Sequence, residues 1–196
     1  MASVGNTEIG AGDSVQPQSK PTTPITIGRA SPSEALSIAE IGAHTFTANF
    51  GASVPEEDLA AFLNGTYSEA SIKADLDDPK KDVLVARGLT DKVLGFVYLF
   101  RELSEPCIPG DPTTHAELGR LYVAMDAQGR GVGTKLCAAL EGQARAEGFK
   151  ELWLSVWEHA PQTQRLYERL GFGRVGELFF QMGVHKHRDL VYNKSL

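Results

Sequence analysis

Cysteine is scarce in this 196-residue chain, with only Cys107 and Cys137, too few for a disulfide framework or a zinc site. No apolar run approaches the length of a membrane span. The N-terminus has neither the basic start nor the apolar core of a signal peptide, so the expectation is a soluble, cytoplasmic protein. Basic clusters are missing as well. The 19 Lys and Arg residues are dispersed among 25 Asp and Glu, giving a net charge of −6, and no electrostatic footprint for nucleic acid or an anionic membrane is visible. An acidic surface mainly keeps a protein in solution and mildly favours a cationic partner. Residues 1–23 have almost no large apolar side chains and cannot bury enough surface to offset their ordering entropy. A disordered tail over 1–23 and a single domain over 24–196 are therefore expected.

The densest local signal is Gln128-Gly129-Arg130-Gly131-Val132-Gly133, set between a strand-like run and an amphipathic helix. Glycines at this density let the backbone approach a ligand closely and adopt conformations that a Cβ forbids. The N–H groups opening the following helix then face an anion. Two other phosphate loops fit badly. A P-loop needs Gly-Lys-Ser/Thr where this chain has Gly133-Thr134-Lys135, and the dinucleotide fingerprint G-x-G-x-x-G is replaced by G-x-G-x-G. The pattern points to a pyrophosphate grip, with a ligand-free glycine turn as the alternative.

Strands are predicted at 25–29, 82–87, 93–100, 117–123, 151–156, 175–181 and 186–192, from period-two alternation and turn signals. Helices are predicted from Ser31-Pro32-Ser33-Glu34 onward, from a capping box at Ser53-Val54-Pro55-Glu56, and over 68–77, 133–148 and 161–170. The loop 102–114, with three prolines and a glycine, is expected to be mobile. Helices first, then strands joined by two helical crossovers, give an α/β (α+β) sandwich on a mixed, mostly antiparallel sheet with helices on both faces.

This order, with the glycine loop after Leu121-Tyr122-Val123 and with Leu166-Tyr167-Glu168-Arg169-Leu170-Gly171-Phe172 farther on, resembles the GNAT superfamily of acetyl-CoA-dependent N-acetyltransferases. The superfamily pattern Gln/Arg-x-x-Gly-x-Gly/Ala is met by Gln128, Gly131 and Gly133. Phe46, Phe50-Gly51, Trp157-Glu158-His159, Phe180-x-Met182-Gly183 and Asp189 further resemble the bacterial-type spermidine/spermine acetyltransferase branch. The resemblance implies the GNAT-like acyl-CoA N-acyltransferase fold, acetyl-CoA as cosubstrate and no metal. A small-molecule amine is the implied acceptor. Protein lysine or N-terminal acetylation and a non-catalytic acetyl-CoA sensor are the alternatives, and a homodimer is left open.

What the resemblance implies for residues follows the chemistry. Backbone N–H groups of Gln128, Gly129, Arg130, Gly131, Val132, Gly133 and Thr134 would hold the pyrophosphate, aided by the helix dipole. Backbone of Leu121, Tyr122 and Val123 would pair with the pantetheine arm, and the Val123 N–H would polarise the thioester carbonyl. An alkylamine with a pKa of about 10.4 is protonated at neutral pH, and removing that proton costs on the order of 4 to 5 kcal/mol. A positioned base or a water relay is therefore expected. Glu117, eleven positions before Gln128, is the candidate, with Glu158 and His159 as runners-up. Tyr167 would donate to the departing thiolate; the alternative is a core aromatic whose hydroxyl is tied to backbone. Ala160 and Thr163 depart from the superfamily's Asn and Ala. The lost cap, typically about 1 kcal/mol, is expected to weaken cofactor affinity, with Pro161 and the Thr163 hydroxyl compensating in part. Trp153 and Trp157 read as core and rim aromatics, Trp157 with an acceptor-lining alternative.

Overall fold

The computed structural model describes residues 24–182 and 185–196, so the expected tail and Gly183 lie outside the described residues. In chain order come β1 (Thr26–Arg29), α1 (Ala35–Phe50), α2 (Glu56–Thr66), α3 (Glu69–Asp77), β2 (Lys81–Arg87), β3 (Val93–Arg101) and β4 (His115–Val123). They are followed by α4 (Val132–Ala146), β5 (Glu151–Trp157), α5 (Pro161–Arg169), β6 (Gly173–Met182) and β7 (His185–Ser195). The seven strands form one sheet in the order β1-β2-β3-β4-β5-β7-β6. Every neighbouring pair is antiparallel except β4 with β5. That exception follows from connectivity, because α4 carries the chain back across the sheet between the two strands, as a parallel pair requires.

Helices cover both faces. On one, Leu136, Cys137 and Leu140 of α4 and Tyr167 of α5 pack over Leu99, Leu118, Leu152 and Leu154. On the other, Ala35, Ile38 and Phe46 of α1 and Ile72 of α3 pack over Val83, Val85, Phe96 and Tyr98. Being covered on both sides, β3 is buried continuously from Val93 to Leu99 and reads as an unbroken apolar run. Leu136, Leu140 and Leu154 are wholly inaccessible, and truncating any of them to Ala costs about 2–5 kcal/mol.

Two local expectations are corrected. The capping box expected at Ser53 and Glu56 does not form: Pro55 is the N-cap of α2 without a side-chain bond, and the Ser53 hydroxyl donates back to the Phe50 carbonyl at 2.8 Å. A reciprocal cap forms instead between Ser31 and Glu34, ahead of α1. The loop 102–114 is fastened to the sheet: His115 bonds Ser104 and the Pro109 carbonyl at 2.7 and 2.9 Å, Trp153 donates to the Leu103 carbonyl, and Ile108 is buried against Trp153 and Val191. Among the described residues, no helix is long and apolar enough to cross a membrane.

Candidate active site

The two central strands separate after a short contact. β4 and β5 pair only at His115↔Glu151, Ala116↔Leu152 and Glu117↔Trp153. Beyond that point β4 stays with β3 to Gly95↔Val123 and β5 stays with β7 to Trp157↔Asp189. The sheet therefore opens as a V between the ends of β4 and β5. A bulge sharpens the divergence: the register steps from Tyr98↔Gly119 to Phe96↔Tyr122, and Arg120 sits at φ 48°. A non-glycine residue in that region is strained by roughly 1–3 kcal/mol and persists only when its surroundings hold it. Because Ala124 N donates to Leu94 O at 2.9 Å on the β3 side, strand alternation turns the Val123 N–H the other way, into the V.

The glycine loop closes the wide end of this opening. Gly129 and Gly131 have φ of 71° and 77°, and a Cβ built on either meets no atom within 4 Å. Their exposed sides face open space. The first intrahelical bond of α4 runs from Lys135 N to Gly131 O at 3.1 Å, which leaves the N–H groups of Val132, Gly133 and Thr134 without helical acceptors. Three free donors at a helix N-terminus beside two left-handed glycines make an anion cradle. The Gln128 side chain donates to Val123 O at 3.2 Å and ties the loop to the strand end, while Leu121 and Val123 pack their side chains on the α4 core.

Glu117 and Tyr167 lie on elements that border the V, on opposite faces of the sheet. Glu117 is half-buried on the α1 side, and burial pushes its carboxyl up to about 7, with Glu105 adding to the rise and Arg120 opposing it. Among the described residues it makes no hydrogen bond or ion pair. Tyr167 lies on the α4 side, 5% exposed, with its ring edge-on to Phe172 at 5.9 Å. Burial raises its proton affinity. Its hydroxyl has no partner among the described residues, so the backbone tie of the core-aromatic alternative is not formed. Cys137, pushed up to about 12 by burial, is an inert core thiol.

Around Glu117 the α1-side face is aromatic and acidic. Phe50 meets Trp157 at 5.0 Å, Tyr67 hydrogen-bonds Tyr122 at 3.2 Å, and the tilted rings of Phe46 and Phe62 meet at 4.5 Å. Trp157 thus lines this face. Asp189 is raised by burial, with Ser155 and His187 opposing the rise; among the described residues it accepts from Ser155 at 3.3 Å and forms no salt bridge. The runners-up for the base are placed differently. Glu158 is held charged by Arg188 at 2.6 Å, and His159 is an exposed ring against Trp157. Ala160 caps α5 without a side-chain bond. The amide of Gln164 grips the Trp157 and Glu158 carbonyls at 3.0 and 2.9 Å and steadies the junction that an Asn would otherwise cap.

Sequence reasoning missed Arg120, Asp75, Tyr67 and Ser155. The Arg120 guanidinium donates to Asp75 at 2.7 Å and lies 4.9 Å from the Tyr98 ring centre. Its partners come from α3 and β3, and no local pattern announces such pairings. A separate groove of about 970 Å³ runs between α1 and the segments around Lys92 and Met125; neither Glu117 nor Tyr167 lines it. No group of three or more metal-ligating side chains occurs among the described residues.

Comparison with known proteins gives consistent results. The family model of the acetyltransferase (GNAT) family matches residues 44–172. An uncharacterised N-acetyltransferase of Mycobacterium tuberculosis is 28% identical over 163 residues, covering 83% of this chain and 98% of that protein. Another from Lactobacillus delbrueckii subsp. lactis is 26% identical, covering 89% and 99%. Among solved structures, the PaiA N-acetyltransferase of Thermoplasma acidophilum in complex with coenzyme A superposes with a TM-score of 0.68 at 19% identity, over 88% of this chain and 99% of that one. A GCN5-related N-acetyltransferase of Rhodopseudomonas palustris gives 0.67 at 24% identity, over 91% and 99%. At these identities the structural likeness speaks for the fold alone.

Proposed function

We propose, from the premise that this chain belongs to the acetyltransferase (GNAT) family, that its domain, residues 24–196, moves an acetyl group from acetyl-CoA to a primary amine in a ternary complex. The supporting observation is the V between β4 and β5, with an anion cradle at its mouth and an unpaired carboxyl of pKa about 7 on its α1-side face. The open side of Gly129 and Gly131 and the free N–H groups of Val132, Gly133 and Thr134 fit a pyrophosphate. The unpaired edge of Leu121, Tyr122 and Val123 fits an amide-bearing arm that adds to β4 as a strand would. Acetyl-CoA supplies the activated thioester; the protein supplies position and proton transfer.

In that role Glu117 takes the proton of the ammonium, and the freed nitrogen lone pair attacks the thioester carbon. The Val123 N–H donates to the carbonyl oxygen as charge builds there. As the C–N bond forms and the C–S bond breaks, the departing thiolate takes the proton of the Tyr167 hydroxyl, the second proton of the amine nitrogen passes through water to the Tyr167 phenolate, and solvent later takes the proton from Glu117. A carboxyl near 7 suits this task, because a base whose pKa lies near the working pH is available and still strong enough to accept.

For the acceptor, a polyamine fits best. Asp189 and Glu117 are both desolvated, neither forms a salt bridge among the described residues, and they share one sheet face walled by Trp157, Phe50 and Tyr122. Carboxylates and aromatic faces together attract alkylammonium groups. The missing Ala160 cap favours a non-catalytic acetyl-CoA sensor, whereas an unengaged Glu117 and Tyr167 favour catalysis. The test is thiol release from acetyl-CoA with polyamines, monoamines, aminoglycosides and lysine peptides, for wild type and Glu117→Gln. Polyamine-dependent release that collapses in the variant is expected. Release with lysine peptides alone would move the acceptor to protein, and coenzyme binding without release from any acceptor would leave the sensor.

A further inference from the structure

We propose that Arg120 is a positioning residue for the acetyl transfer, holding the β4 bulge in place and favouring the charged form of Glu117 beside the ring of Phe100. The inference rests on Glu117 being the base. Three observations carry it. First, Arg120 is itself the strained residue of the bulge, at φ 48°, so whatever fixes its side chain also fixes the point where β4 leaves β5. Second, that side chain is fixed from two elements: Asp75 of α3 accepts from it at 2.7 Å, and the guanidinium carbon lies 4.9 Å from the Tyr98 ring centre and 5.6 Å from that of Phe100, both on β3. Tyr67, 5.9 Å away, extends the enclosure to the segment between α2 and α3. Third, the Phe100 ring neighbours both Arg120 and Glu117. It pairs across the strands with Glu117 and lies over Gly119, where a Cβ would stand 2.5 Å from the ring and 3.5 Å from the Glu117 carboxyl.

A cation in a desolvated site favours the charged form of a nearby carboxylate. Desolvation favours the protonated form of Glu117, which cannot act as a base, and Arg120 opposes that rise. The other charged groups facing Glu117 act differently. Glu105, from the loop before β4, pushes the same way as desolvation. His115, two residues earlier on β4, has both ring nitrogens engaged by Ser104 and Pro109. Asp75 faces Arg120 rather than Glu117 and is shared with Lys81 at 2.6 Å, so it partly neutralises the guanidinium. That arrangement gives the two partners opposite influences on the base.

The test is the pH profile of kcat/KM for acetyl transfer, between about pH 5 and 9, in wild type, Arg120→Met, Arg120→Lys and Asp75→Asn, each with its unfolding temperature. Removing the guanidinium should move the acid limb upward by roughly one unit. Lysine, which keeps the charge, should return it most of the way. Asn at 75 leaves Arg120 less neutralised, so the limb should move downward although this variant is destabilised too. Opposite displacements in two variants that both lose stability cannot come from loosened packing. Equal rate losses at every pH, with the limb unmoved in both, would overturn the proposal. If Arg120→Met does not fold, the downward shift in Asp75→Asn and the lysine variant decide alone: an unmoved or upward limb in Asp75→Asn overturns it. An acid limb that persists in Glu117→Gln would instead count against Glu117 as the base, a separate failure.

Discussion

At the residue scale, Glu117 trades stability for readiness to react. An ordinary glutamate in the unfolded chain titrates at 4.5, whereas in the fold it is pushed up to about 7. Between those values the native state holds a proton that the unfolded state has released, so stability falls as pH rises through this window. Below it the penalty vanishes. Glu117→Gln should therefore unfold at a higher temperature than wild type near pH 8, by at most about 3 kcal/mol, with no gain near pH 4, while turnover at neutral pH drops roughly a hundredfold or more. Calorimetric melts at both pH values check the sign; a variant less stable than wild type at pH 8 would mean that Glu117 is a satisfied structural group. For Tyr167→Phe the expectation is a lower kcat with an unchanged KM for acetyl-CoA, because the lost hydroxyl acts on the departing sulfur and the ring contact with Phe172 remains. Unaltered kcat in single-turnover measurements would return Tyr167 to the core.

At the element scale, legibility followed the range of the interaction. The glycine loop could be read directly, since Gly129 and Gly131 require left-handed backbone that their neighbours in sequence already suggest. So could the order of strands and helices, because periodicity is local. The capping box misplaced at Ser53 shows the limit: the right residues stood at the right spacing, but Ser53 turned to the Phe50 carbonyl at the end of α1. The Asp75–Arg120 pair, the Tyr67–Tyr122 contact and the parting of β4 from β5 join residues 30 or more positions apart and leave no trace in a linear pattern. Gly131→Asp tests the element that was legible. Its side chain would project into the cradle beside the free N–H groups of α4, adding a fixed negative charge where a pyrophosphate belongs. Titration calorimetry should show acetyl-CoA binding abolished, whereas Gly131→Ala, which adds strain but no charge, should bind more weakly without losing it.

At the scale of the whole molecule, the sheet consists of two paired halves joined through three residue pairs at the closed end of the V. The half carrying β1 to β4 is braced by α1, α2 and α3, and the half carrying β5 to β7 meets it also through the helices and the fastened loop 102–114. A ligand that adds its own hydrogen bonds to the free edge of β4 and its phosphates to the start of α4 would act as an eighth strand between the halves. Its binding energy would then appear as folding stability by mass action. At a concentration about a hundred times Kd, acetyl-CoA should stabilise by about 2.7 kcal/mol, which for a chain of this size corresponds to a rise in Tm of roughly 5–10 °C. The location of the effect is the sharper test. Amide hydrogen exchange should slow at Leu121 to Thr134 and along β5 and α5, while β1 and β2, remote from the V, should change little. Protection centred instead on the groove beside α1, around His44, Lys92 and Met125, would place the coenzyme there and overturn the assignment of the V as its site.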